Sequence, residues 1–108
     1  MKTNALIVLD TRVKKADGTF PLIMRIVHNR KSSQIPLGLS LHLKDWDDTK
    51  HLIKSSYNGT ESVTRLNNQH RKKVAEALDI ISKLDEKKTL QTLTITQLKE
   101  LIEKSNNL

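Results

Sequence analysis

The chain has no cysteine, three aromatic residues (Phe20, Trp46 and Tyr57), three glycines and two prolines in 108 positions. Without thiols there is no disulfide framework, no thiol nucleophile and no cysteine-based zinc site. So few aromatics supply no row of platforms for stacking single-stranded bases. The glycines, Gly18, Gly38 and Gly59, are isolated from one another, so no glycine-rich loop is present to cradle a phosphate. No apolar run approaches the roughly 18 residues of a membrane span, and Ala5 to Leu9 is too short and meets charge too soon for a signal peptide. A soluble, cytoplasmic protein is expected. The length suits one domain, or one domain and a fragment of the next, burying roughly 65% of the surface its unfolded chain exposes. That leaves little room for a large enzyme pocket.

What the chain has is positive charge. Nineteen Lys and Arg stand against twelve Asp and Glu, a net charge of +7 and a pI near 9.8. An excess of cations attracts phosphate through counterion release, so a polyanion is the favoured partner. The excess is uneven. Residues 1–36 carry Lys2, Arg12, Lys14, Lys15, Arg25, Arg30 and Lys31 against only Asp10 and Asp17, whereas the remainder is nearly balanced.

The basic segment reads as β structure. Ala5 to Val8 and Leu9 are aliphatic and β-branched, which gives a strand at about 5–12, apolar on both faces and so ambiguous in register. Asp17-Gly18 marks a hairpin, because glycine accepts positive φ at little cost. Phe20 to Asn29 is the second strand, with Pro21 tolerable near its start. A turn at Asn29-Arg30-Lys31-Ser32 leads to a third strand at 33–39, which Pro36 and Gly38 mark as an edge. Residues 40–60 give little signal beyond one short helical turn around Leu43 to Trp46 and a polar loop at Ser55 to Gly59. From about 61 to 84 the period changes: Val63, Leu66, His70, Val74, Ala77, Leu78, Ile81 and Leu84 form one stripe of a long helix, with Thr60 or Ser62 as N-cap. Thr94-Ile95-Thr96-Gln97 has capping-box spacing and opens a final helix. Its apolar stripe, Ile95, Leu98, Leu101 and Ile102, has nothing evident to cover it. The expected fold is α+β: a three-stranded antiparallel sheet on one long C-terminal helix, with a short helix that begins a missing next domain.

Alternation places Leu22, Met24 and Ile26 on one face of the second strand and Arg25 on the other. If the first set meets the helix, Arg25 and Asn29 project outward, between turns that carry Lys14, Lys15, Arg30 and Lys31. Such a face suits a DNA major groove, which admits a β-ribbon. Turn cations would clamp phosphates while Arg25, Asn29 and Gln34 lie near base edges. Each residue has a plainer reading as well. Turn lysines solubilise, Arg25 could snorkel or pair with Asp10, and Arg71-Lys72-Lys73 reads as a solvated helix face. The four histidines lack metal-ligand spacing. Asp45, Asp47 and Asp48 lack the glycine and distal glutamate of a calcium loop and read as turn and cap residues. Trp46 reads as a core plug and Tyr57 as structural.

Leu9-Asp10-Thr11-Arg12, Lys14-Lys15-Ala16-Asp17-Gly18, Pro21 to Arg25-Ile26, Leu37-Gly38-Leu39-Ser40 and Trp46-Asp47 together resemble the N-terminal end of phage-type integrases, the tyrosine recombinases of Bacteroides-like bacteria and their mobile elements. The resemblance implies an arm-type DNA-binding domain over 1–88. It implies that 89–108 is a linker and the first helix of a truncated core-binding, SAM-like domain, with the catalytic domain outside these residues. Arg25 and Trp46 match typical family positions. No cleavage activity is implied here, and Tyr57 is not a nucleophile. The expected DNA-binding set is Arg12, Lys14, Lys15, Arg25, Asn29, Arg30, Lys31 and Gln34. Double-stranded DNA is the expected partner, with other recombinase subunits beside it. No cofactor, metal, membrane or small-molecule substrate is expected. The competing functions are an RNA-binding module, because a sheet backed by a helix also suits RNA duplexes, and a protein-interaction module using the helix stripes.

Overall fold

The computed structural model describes residues 3–106. Strands β1 (Thr3–Leu9), β2 (Phe20–His28) and β3 (Lys31–Leu41) form an antiparallel meander in the order β1-β2-β3. The third strand is longer at both ends than the 33–39 expected. The loop between β1 and β2 closes where expected: Gly18 has φ of 84°, and the Asp17 carboxylate accepts from the Thr19 amide at 3.0 Å. The β2–β3 connection is only Asn29-Arg30, with φ of 50° and 69°. Left-handed conformation at both central residues matches the twist of the flanking strands. Further along, three residues of β3 (Leu37, Gly38, Leu39) lie opposite the single Leu22 of β2, and Gly38 absorbs this bulge with φ of 76°.

Alternation resolves the register of β1. Ala5, Ile7 and Leu9 share the inner face with Leu22, Met24 and Ile26 of β2 and Ile35 and Leu41 of β3. Helix α1 (Val63–Glu86) packs under β1 and buries Leu66, His70, Ala77 and Ile81. Ser62 is its N-cap, accepting from the Arg65 amide at 3.4 Å. At its far end Lys88 takes φ of 58°, while the Lys88 and Thr89 amides donate to Asp85 and Leu84 carbonyls, the Schellman ending that satisfies the last turn.

Helix α2 (Ile95–Asn106) departs from the expectation that its stripe lacks a cover. It packs against β3, β2 and α1, and Leu98 and Ile102 have no exposed surface. The reason is width. Three strands spaced about 4.8 Å apart, with their side chains, exceed one helix of about 10 Å diameter. One helix therefore serves the β1 side and the Leu37–Leu39 end of β3, where Leu66 and His70 lie beside it, and leaves the rest of β3 and part of β2 to the second. The capping box forms as expected, Thr94 N–H to Gln97 Oε1 at 2.9 Å and Gln97 N–H to Thr94 Oγ1 at 3.1 Å.

Between sheet and helices, a 3₁₀ turn at Leu43–Asp45 leads into a small hairpin, β4 (Trp46–Asp47) with β5 (Leu52–Ile53), which the sequence did not signal. Asp47 closes its turn by accepting from the Thr49 and Lys50 amides, and Asn67 of α1 bonds both backbone groups of Ile53. Trp46 is buried in the core, and Tyr57 packs against it. The Tyr57 ring lies so close over Gly59 that any Cβ there would collide with it. No helix among the described residues is long and apolar enough to cross a membrane.

Candidate nucleic-acid interface

Both helices lie on one side of the sheet. The opposite, outer face presents the other half of each strand's alternation: Asn4, Leu6 and Val8 on β1, Ile23, Arg25 and Val27 on β2, and Ser32, Gln34 and Pro36 on β3. Arg25 is at its centre, opposite Leu6 on one side and Gln34 on the other. Among the described residues no carboxylate lies within 4 Å of its guanidinium. The ion pair that competed for it forms elsewhere, because Asp10 takes Arg12 instead.

Asp10 directly follows β1 and is only 2% exposed. Its Oδ1 accepts from the Arg12 Nε–H at 2.9 Å and from the Arg12 backbone amide at 3.2 Å, and its Oδ2 accepts from Nη2 at 3.2 Å. The same Nη2 donates to Gln34 Oε1 at 3.1 Å. Arg12 therefore bridges from the end of β1 to β3, over the middle strand. Beneath this roof Ile23, though on the helix-free face, is 2% exposed. The hydrogen bond from Arg12 holds the Asp10 carboxyl below the usual carboxylate range. Burial opposes this, while the Arg12 amide and the charges of Arg12 and Arg25 add to it. The network favours the anionic form of Asp10 and holds the Arg12 guanidinium on the outer face by hydrogen bonds to Asp10 and Gln34.

The two turns stand at opposite ends of β2, roughly 26 Å apart at ~3.3 Å per residue. At one end Lys14 and Lys15 are exposed, and Lys15 Nζ donates to Ser40 Oγ of β3 at 2.5 Å, which draws that cation over the outer face. At the other end are Asn29, Arg30 and Lys31, all exposed. Arg30 sits in left-handed conformation where glycine would be unstrained. Keeping a long cation there at a cost of about 1 kcal/mol is the kind of local strain found at functional positions.

Two of the expected residues are placed differently from the sequence reading. Lys31 pairs with His28, an inner-face residue, so its side chain starts on the helix side of the sheet. The Asn29 side chain turns back toward the His28 ring, Nδ2 to Nε2 being 3.3 Å, instead of projecting outward. His28 itself is buried between Thr3 Oγ1, at 2.7 Å from Nδ1, and the Leu93 carbonyl, at 2.9 Å from Nε2. The structure thus groups Arg12, Lys15, Arg25, Arg30 and Gln34 on or beside the outer face, with Lys14 in the same loop. Sequence reasoning missed Ser40 as a member of this surface and gave Asp10 to Arg25 in place of Arg12. The signal for Asp10 was its spacing of two from Arg12, which suits an Asx-type turn.

Cations line the Arg71 to Lys73 segment of α1 as well. Arg71 and Lys72 are exposed, and Arg71 borders the groove between α1 and Ala5 to Ile7 of β1. Among the described residues no cluster of three His, Asp or Glu is disposed to hold a metal ion.

A protein-family model described as an Arm DNA-binding domain matches residues 7–99, from inside β1 to inside α2. Neither the curated proteins nor the solved structures compared with the chain gave a match.

Proposed function

The chain belongs to the arm DNA-binding domain family, the non-catalytic DNA-binding module of phage-type integrases, and we propose that its outer sheet face enters the major groove of a preferred duplex. Arg25, at the centre of that face with no carboxylate within 4 Å among the described residues, carries this reading. Two strand spacings make a ribbon about 10 Å wide between outer backbones, which suits a groove about 12 Å across. Lys14, Lys15 and Arg30 would meet phosphates at the two ends, while Arg12, Arg25 and Gln34 address base edges. The biological role is arm-site binding as the N-terminal part of a tyrosine recombinase. In this role a helical core-binding domain follows, residues 89–108 form the joint to it, and a catalytic domain lies beyond. The exposed Leu101 on the solvent side of α2 is available to that next domain.

The test is a titration of the 108-residue chain against duplex DNA, over a range of salt concentrations. Three phosphate contacts predict a log–log salt slope of about −3. Preference for one duplex over a scrambled one is expected at low and at moderate salt. Absence of binding at low salt overturns the reading, and binding that ignores sequence reduces it to nonspecific docking. Tighter binding to an RNA duplex of matched sequence transfers the function to RNA.

A further inference from the structure

A carboxylate under a face that meets DNA repels the phosphate it is supposed to attract, yet Asp10 is charged, buried and placed there. Its hydrogen bonds show what it does instead. Arg12 has five N–H donors in one plane. The Nε–H and one Nη2–H form a parallel pair onto Asp10, which fixes the whole plane, and the Arg12 amide fixes the carboxylate in turn. The end of the guanidinium, one Nη1–H and the second Nη2–H, is left pointing away from Asp10. One arm of that fork already rests on an amide oxygen, Gln34 Oε1, at 3.1 Å.

We propose that Asp10 is a positioning residue that aims Arg12 at a guanine, and that Gln34 Oε1 holds, in the free protein, the place the guanine acceptor takes on binding. The inference rests on the duplex-DNA reading above and deepens it to one base. Guanine presents O6 and N7 side by side in the major groove, the acceptor pair an arginine fork matches. Adenine places its N6 donor against one arm of the fork, and cytosine offers a donor in place of an acceptor. Thymine offers one acceptor only. A fork held in place by a buried carboxylate loses less freedom on binding than a free side chain. Lysine would preserve the charge of Arg12 but not the fork, so the two roles, phosphate contact and base reading, are separable.

The experiment selects a preferred duplex from a randomised library with the wild-type chain, then measures its affinity beside single-base variants. One guanine is expected whose change to adenine weakens binding about 5- to 150-fold, the range of a good bidentate pair, and whose 7-deaza form, lacking N7, also weakens it. In Arg12→Lys and in Asp10→Asn that discrimination falls below about threefold. Amide spectra serve to confirm that both variants are folded, and in Asp10→Asn the Arg12 Nε–H signal loses its protection from exchange. Equal discrimination at that guanine in either variant overturns the inference, as does a selected site with no such guanine, while the DNA reading stands. If the wild-type chain binds no duplex at low salt, the DNA reading falls, and this inference with it.

Discussion

The two faces of one sheet differ in what each tolerates. On β2, Leu22, Met24 and Ile26 point inward with essentially no exposed surface, and between them Arg25 points outward with no acidic partner within 4 Å among the described residues. The inner face is stabilised by removing apolar area from water, about 25 cal/mol per Å². The outer face has an apolar floor of Val8 and Ile23, but this floor is roofed by a charged network in place of a helix. On the proposed reading, a period of two residues divides one strand between stability and recognition. Substitutions at neighbouring positions should separate the two properties.

The largest effect is expected on the inner face. Ile26→Ala and Leu98→Ala should each lower unfolding stability by about 2–5 kcal/mol, read from denaturant midpoints, with DNA affinity per folded molecule unchanged. Coincident transitions for probes on α2 and on the sheet in both variants would show that the two unfold as one unit. One residue away, Arg25→Ala should cost about 1–3 kcal/mol of binding to the preferred duplex while stability stays within about 0.5 kcal/mol. If Arg25→Ala unfolded the chain as readily as Ile26→Ala, the division between faces would collapse. Arg30→Gly sharpens the contrast within a single residue. Relief of the left-handed backbone should stabilise the fold by about 0.5–1 kcal/mol, while the salt slope of DNA binding becomes shallower by about 0.9. The smallest effect concerns His70 on the helix side. Burial first, and Lys73 second, lower its pKa from an ordinary 6.5, so the unfolded chain takes up a proton at a higher pH than the folded one. Stability from this group is complete above that ordinary value and declines as pH falls below it. A lower thermal midpoint at pH 5.5 than at pH 7.5 is expected, with a smaller decline in His70→Leu.

Local signals in the sequence were faithful where the physics is local. Asp17-Gly18, the Ser62 cap and the Thr94/Gln97 box each depend on a few neighbouring residues, and each forms. The edge character of β3 followed from Pro36 and Gly38 alone. Features set by tertiary placement were not legible. The β4–β5 strands are two residues each, too short for any periodicity, and Asn67 of a distant helix holds them. The cover for Leu98 and Ile102 depends on the width of the sheet, which a stripe of apolar residues does not reveal. At the candidate site, the positions of Arg25 and Gln34 followed from alternation. Lys31 did not, because a two-residue turn brings it into register with inward-facing His28. Asp10 was read as a possible partner of Arg25, since spacing alone does not choose between two arginines.

Whether the helix-free face of the sheet meets DNA can be read residue by residue from amide and arginine side-chain chemical shifts. The measurement is a titration of the isotopically labelled 108-residue chain with a duplex at low salt. The largest changes are expected on Arg12, Lys15, Arg25, Arg30 and Gln34, with Arg71 and Lys72 of α1 unmoved. Changes confined to Arg71 and Lys72, with the outer face unmoved, would contradict that expectation.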